Sequence, residues 1–406
     1  MKKKSHIKIT FLGDVLCDNC MASDLEKYRE KNSRCYNFSS LYSQAFRDLL
    51  KESDYVSANL ETPISCNNEN LTNRQWEFCS PIEFAKALFD AGVHYVATAN
   101  NHCLDRGVSG LKDTVLALKK IGFDYSGICP EGEKRELFIS QTTGLKLGLL
   151  SYTYGTNAFS NKKYLSFAQR RCVDLIQEQE QITFHWDLWK RYALKRPNSF
   201  FAKIRRQLIL FLFPENKDKQ IYEQVSCGLY RRHLIKKDLK EIKKKHCDWI
   251  VVNLHIGGQY NKEPSIFTQR AIDFLLKNGA DIVIGNHEHV IHGCNWRKEE
   301  NKFLCYSLGN CIGSAGLKEP PFDRFADFSI AVHLYCNTKE KKIDKVSFSV
   351  LKVICDQNGK YQIWPACELL NEENFSESHI LRQATLNAAK LFSGKVYNRV
   401  EKEFLL

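Results

Sequence analysis

Proline and glycine are scarce here, with 9 and 21 copies among 406 residues, and methionine occurs only twice. Collagen-like and low-complexity chains need one or both of the first two in quantity, so both classes are excluded. Long hydrophobic runs are missing as well. The longest, residues 208–213, has six members, against the roughly 18 that a membrane span requires. Residues 1–4 are basic, but Lys8 and Asp14 interrupt the apolar stretch behind them and no small-residue cleavage site follows, so no secretory signal is expected. Cysteine is plentiful, at 16, yet only Cys17 and Cys20 stand in a C-x-x-C pair and no second pair completes a zinc spacing. The others are scattered singly, several in apolar runs (Cys305, Cys311), and are expected to be reduced, mostly buried thiols. Together these absences predict a soluble protein in a reducing, cytoplasmic setting.

What is present is a globular composition, 43% hydrophobic, in a chain long enough for one large or two ordinary domains. Apolar runs at 7–12, 55–60 and 94–99 end in Gly13-Asp14, in Glu61 and in Asn100-Asn101-His102. Helical patterns at 42–50, 81–91 and 110–121 lie between them. The rhythm returns at 249–254, ending at His255, and at 281–284, ending at Gly285-Asn286-His287-Glu288-His289. It recurs at 303–308, ending at Gly309-Asn310. Strands alternating with helices predict an α/β fold, in which ligands gather beyond the carboxyl ends of the strands. Two further strands are expected at 328–335 and 345–353, and a helix at 380–392. The expected organisation is a core of 1–157 and 246–355, an insertion at 158–245 and a C-terminal extension at 356–406.

Collected by position, the strand-end residues are Asp14, Glu61, Asn101, His102, His255, His287 and His289. Carboxylates, an amide oxygen and several imidazoles form a mixed oxygen and nitrogen donor set suited to Zn, Mn, Fe or Ni, and too rich in nitrogen for Ca or Mg. Two ions about 3.5–4 Å apart need about this many ligands if one carboxylate bridges them, and water between such ions ionises near neutral pH. Each residue also has a plainer reading. Asp14 could be a turn residue, Glu61 a helix-entry cap, and Asn100-Asn101-His102 an Asx-rich turn.

The order of these blocks resembles the capsule-synthesis CapA family (poly-gamma-glutamate biosynthesis CapA-like), a branch of the calcineurin-like metallophosphoesterases. The matching segments are Phe11-Leu12-Gly13-Asp14, Ala58-Asn59-Leu60-Glu61-Thr62-Pro63, Asn100-Asn101-His102 through Asp105-Arg106-Gly107, His255-Ile256-Gly257-Gly258-Gln259-Tyr260, Gly285-Asn286-His287-Glu288-His289-Val290 and Tyr306-Ser307-Leu308-Gly309-Asn310. The resemblance implies a four-layer α/β/β/α sandwich with two divalent metal ions, Mn, Zn or Fe, at one end of the two sheets. It implies that Asp14, Glu61 (as bridge), Asn101, His255, His287 and His289 are the ligands. His102 becomes the histidine beside the leaving group, and Asp105 the carboxylate that orients it. Several positions depart from the pattern. Leu16 stands where many metallophosphoesterases have histidine, so that ligand position is filled by water, by Asp18 or not at all; Gln259 replaces an acid, and Glu288 is expected to face solvent.

The charge is unevenly placed. The stretch 158–245 holds 21 basic and 9 acidic residues, so it carries the whole net charge of +12. Between 186 and 213, aromatic residues such as Trp186, Trp189 and Phe200 alternate with Lys190, Arg191, Lys203 and Arg205. An anionic membrane surface, an anionic substrate or polymer, or simple packing with a solvated basic face would each suit this mixture. No helix-turn-helix, zinc finger or RNA-recognition motif is visible, so no specific nucleic acid is expected. Two functions follow as expectations. The first is a metal-dependent phosphoesterase-type hydrolase in capsule or surface-polymer synthesis. The second is a non-catalytic, metal- and anion-binding component of an envelope-polymer assembly, docked at the inner membrane face through 186–213.

Overall fold

The computed structural model describes residues 4–31, 33, 35–72, 77–142, 144–177, 179, 200, 201, 204, 207, 208, 229–314, 326–356, 358–371 and 378–406. Strand β1 (His6–Val15) sends Ile7, Ile9 and Phe11 into one apolar core and Leu12 and Val15 into another. Successive side chains of a strand point to opposite faces, so a strand feeding two cores must be covered on both sides.

The first sheet is built around β1. On one side lie β2 (Tyr55–Leu60), β5 (Tyr95–Ala97) and β6 (Asp124–Ser126), all parallel. On the other side β14 (Phe328–Asn337), β15 (Lys342–Cys355) and β16 (Tyr361–Pro365) continue antiparallel. Short β13 (Asn310–Ile312) pairs with the end of β1, and β17 (Phe404–Leu405) with β15; β3 (Ile64–Ser65) and β4 (Ser80–Pro81) form a separate two-stranded ladder. The second sheet runs β11 (Cys294–Arg297), β12 (Lys302–Cys305), β10 (Ile282–Asn286), β9 (Trp249–His255), β8 (Leu145–Thr153) and β7 (Phe138–Thr142). Its four central strands are parallel.

Three cores make the layers. The middle one joins Ile9 and Phe11 of the first sheet to Leu147, Val251, Ile284 and Phe303 of the second. Burying each such side chain stabilises the fold by roughly 1.5–3 kcal/mol relative to exposure. Helices α1 (Gln44–Lys51), α2 (Ile82–Asp90) and α3 (Gly107–Ile121) cover the outer face of the first sheet through Phe46, Leu49, Phe84, Leu88 and Leu118. Helices α4 (Leu229–Lys244) and α5 (Ile266–Lys277) cover the second through Ile235, Leu239, Ile272 and Leu275. The layer order is α/β/β/α, as expected.

Local chemistry starts and stops these elements. Ser43 and Ser265 accept hydrogen bonds from Phe46 N and Thr268 N and so cap α1 and α5. Gly122, at φ +103°, ends α3 in the left-handed region. Two segments contribute more to the cores than their composition suggests. The basic helix α4, inside the stretch read as an insertion, buries Ile235, Leu239 and Ile242. Helix α6 (Ser378–Ser393) places Leu381, Ala388 and Phe392 in the middle core, where Phe348 packs between Phe392 (5.0 Å) and Phe404 (5.3 Å). Most of 186–213 lies outside the described residues. No helix among the described residues is long and apolar enough to cross a membrane.

Candidate metal centre

The parallel strands of the two sheets finish at one end of the sandwich, and every expected site residue sits there. Asp14 lies near the end of β1, Glu61 directly after β2, Asn101 and His102 after β5, His255 at the end of β9, and His287 and His289 just past β10. The chain ends come together because glycine lets backbones touch. A Cβ on Gly13 would lie 1.9 Å from Gly309 O, and one on Gly285 2.0 Å from Tyr306 O. That first contact leaves room for Asp14 N to donate to Gly309 O at 3.0 Å.

Asp14, Glu61, His255 and His287 are all fully or almost fully buried. Two ligand groups form, Glu61–His255–His287 and Asp14–Glu61–His289, each with its donor atoms within 4.8 Å of one another. Glu61 belongs to both. Its Oε1 lies 3.3 Å from His255 Nε2 and 3.9 Å from His289 Nε2. Asn101 Oδ1 approaches His255 Nε2 to 2.7 Å, and His289 Nδ1 stands 3.6 Å from Asp14 Oδ2.

The electrostatics of this cluster are costly without a cation. Burial first, then the neighbouring Glu61 charge, pushes Asp14 well above the usual carboxylate range, although Asn59 and His287 N pull it down by hydrogen bonding. Burial likewise raises Glu61 and holds His255 and His287 well below the ordinary imidazole range. Low dielectric thus drives Asp14, Glu61, His255 and His287 toward their neutral forms. Neutral forms still need partners, yet neither oxygen of Glu61 nor either ring nitrogen of His287 has a hydrogen-bond partner. Unpartnered buried polar atoms aimed at one another fit divalent cations held between them, with carboxylate and imidazole donors of the kind Zn, Mn or Fe accept. The backbone supports the same conclusion. His287 (φ +100°) and His289 (φ +59°) occupy the left-handed region, a strain of roughly 1–3 kcal/mol each that functional sites commonly hold.

His102 stands apart from the two groups. Its Nδ1 is 2.6 Å from Asp105 Oδ2, a carboxylate that also accepts from Phe78 N and Asn161 Nδ2. Burial works to lower the His102 pKa, but the Asp105 charge and hydrogen bond outweigh it and raise the net value. The Asp105 carboxylate thus favours the protonated form of this imidazole, while burial favours the neutral forms of His255 and His287.

Several other residues are placed differently from their sequence reading, or had no role there. Glu288, expected in solvent, is fully buried: Gly258 N donates to its Oε2 at 3.1 Å, and only a glycine at 257 leaves space for Oε1. Its sequence signal is the pair Gly257-Gly258, which permits that close approach. Asp18 binds Met21 N, Ser314 N and Ser314 Oγ, so it is a cap and a loop tie. Cys17 is buried in the outer core, with its thiol pushed up to about 12 chiefly by burial, and is held in its unreactive form. Asn59 and Asn310 had no assigned part. Asn59 Nδ2 binds Asp14 Oδ1 (2.7 Å), and Asn310 Oδ1 meets His289 Nδ1 (2.9 Å), so both orient ligands. Gln259 Nε2 lies 3.4 Å from His289 Nε2, and Tyr154 packs 4.6 Å from the His287 ring.

Comparison with known proteins identifies related chains. The family model "Bacterial capsule synthesis protein PGA_cap" matches residues 8–315. The capsule biosynthesis protein CapA of Bacillus anthracis is 26% identical over 322 residues, covering 78% of this chain and 62% of that protein. The PGA biosynthesis protein CapA of Bacillus subtilis is 23% identical over 313 residues, covering 76% and 64%. This chain thus spans somewhat under two thirds of the length of either relative. The solved calcineurin-like phosphoesterase YfkN of Bacillus subtilis is 11% identical, with 85% of this chain and 90% of that one covered at a TM-score of 0.36. With six motif blocks in order, five of them bearing expected ligands, and a match over most of its length, the chain belongs to the bacterial capsule synthesis family PGA_cap, the family of the CapA proteins.

Proposed function

We propose that this protein is a metal-dependent hydrolase of the metallophosphoesterase type, acting on a phosphoester or related bond in the synthesis of a capsule or other surface polymer. The observation that carries the reading is Glu61, a fully buried carboxylate shared by two ligand groups, with both oxygens free of hydrogen bonds. Asp14, Glu61 and His289 would hold one ion, and Glu61, His255 and His287 the other, with Asn101 beside His255. When bound, such ions supply Lewis acidity toward a phosphoryl oxygen and activate water at neutral pH.

The chain's own residues supply the rest. Asn59 and Asn310 fix the rotamers of Asp14 and His289. Asp105 holds the Nδ1 proton of His102, which leaves Nε2 to carry the proton a departing oxygen requires. The two strained histidine positions hold the imidazoles in place before substrate arrives, so little reorganisation remains for the reaction. The capsule context rests on the family and on the printed roles of the two CapA relatives. Purified protein loaded with Mn or Zn should turn over generic phosphomonoesters or phosphodiesters, and Asp14→Ala or His287→Ala should abolish that turnover. Turnover that survives both substitutions would remove the hydrolase reading.

A further inference from the structure

The turn after Asn101 presents two consecutive side chains to one neighbouring segment. Arg106 donates from Nε to Asn70 O (2.9 Å) and from Nη2 to Leu71 O (3.1 Å) and Glu77 O (3.3 Å). Asp105 Oδ2 accepts from Phe78 N at 2.8 Å. Thr72 and Cys79 close the segment on itself, with Thr72 N donating to Cys79 O and Cys79 N to Thr72 Oγ1. The outcome is a Phe78 ring lying flat on the His102 imidazole, with centroids 4.0 Å apart and planes at 16°. Phe78 is 2% exposed, yet it joins none of the four apolar cores among the described residues. Its ring contact is with the imidazole.

We infer that Phe78 is a positioning residue for His102 and that Arg106 is the clamp that keeps Phe78 there. A single hydrogen bond from Nδ1 to Asp105 fixes one edge of the ring but leaves it free to rock about that bond. A stacked aromatic face removes the rocking and so aims Nε2. Phe78 N binds Asp105 Oδ2, the oxygen that receives His102 Nδ1, so one residue steadies both the ring and its acceptor. The guanidinium spends its donors on three backbone carbonyls and on the Glu77 carboxylate (Nη1 to Oε2, 3.4 Å), all in the Phe78 segment, which suits a clamp and not a substrate contact. The task given to Nε2 rests on the hydrolase reading above; the stacking geometry does not.

Two readouts on the full chain test this, using Phe78→Leu and Phe78→Tyr, with melting temperature and bound metal measured to confirm folding. In Zn-loaded protein, the His102 Nδ1 proton held by Asp105 should give a far-downfield proton resonance, assigned by its loss in Asp105→Asn. It should persist in Phe78→Tyr and broaden or move upfield in Phe78→Leu. Phe78→Leu should also slow an alkyl phosphoester, whose leaving group needs a proton, by about 10-fold more than a nitrophenyl ester, because only aligned proton transfer is lost. Phe78→Tyr should restore the ratio. An unchanged resonance in Phe78→Leu, or an equal fall on both esters, would overturn the inference. Should the resonance respond while the parent protein hydrolyses no phosphoester, the hydrolase reading fails and the positioning of His102 stands.

Discussion

Glu61 belongs to both candidate ligand groups, and its variants should separate stability from metal binding. In chelator, Glu61→Gln removes a buried acid that sits beside Asp14, so the variant should be as stable as the parent or more so, by about 1–3 kcal/mol. With Mn or Zn added the order should reverse, because the bridge between the two ligand groups is gone. Thermal melts in the two conditions measure this directly. His102→Ala should lower turnover by about 10²–10⁴-fold while leaving bound metal unchanged, since the imidazole lies outside both ligand groups. At this scale the residues that gather into the two candidate groups were legible in the sequence because each is a polar residue at the end of an apolar run. Glu288 was not, because its burial depends on a glycine pair far away in sequence that packs over its carboxylate. Asn59 was hidden for a similar reason: nothing in a strand's alternation marks one inward amide as the partner of Asp14.

Elements carry those residues to one place, and glycine contacts between strand ends set the spacing. Gly13→Ala would force a methyl group into Gly309 O, which should cost about 1–3 kcal/mol or more and move Asp14 away from its hydrogen bond. Metal titration and urea unfolding of this variant should show weaker binding together with lower stability; loss of stability alone would mean that the strand ends do not govern the centre. The strands expected at 7–12, 55–60, 94–99, 249–254, 281–284, 328–335 and 345–353 and the helices α1, α2 and α3 fall close to their expected limits, whereas β6, β7, β8, β11 and β16 carry no comparable signal in the sequence. The strand expected over 303–308 ends earlier, at Cys305, since Tyr306–Leu308 turns to bring Gly309 against Gly13. Helix α4 was less legible, because its dense lysines conceal the three apolar side chains that face the second sheet.

The whole molecule behaves as two sheets closed around a middle core, and its far end is tied by a buried polar network. His333 lies between Thr10 Oγ1 (2.8 Å) and Ser349 Oγ (3.1 Å). Burial first, and then the nearby Lys8 charge, lowers its pKa to about 3. An imidazole kept neutral in the fold contributes fully above its unfolded pKa of about 6.5, and the contribution fades as pH falls toward 3. Stability should therefore drop by up to about 1.4 kcal/mol per pH unit below about 6.5, and His333→Gln should show a shallower drop in urea midpoints between pH 7 and pH 5. That network could not be read from the sequence, because it unites residues from opposite ends of the chain: Lys8 bonds Glu403, which also accepts from Tyr335. The sandwich itself was legible only through the order of its strand-end blocks, since alternation alone does not tell how many layers cover a strand. We propose that this end of the sandwich holds two ions through a shared Glu61. Elemental analysis of the purified protein and of Glu61→Ala tests it most directly. Two divalent ions per chain in the parent and loss of both in the variant are expected, whereas a parent that retains no ion, or a variant that keeps two, would rule out a Glu61-bridged pair.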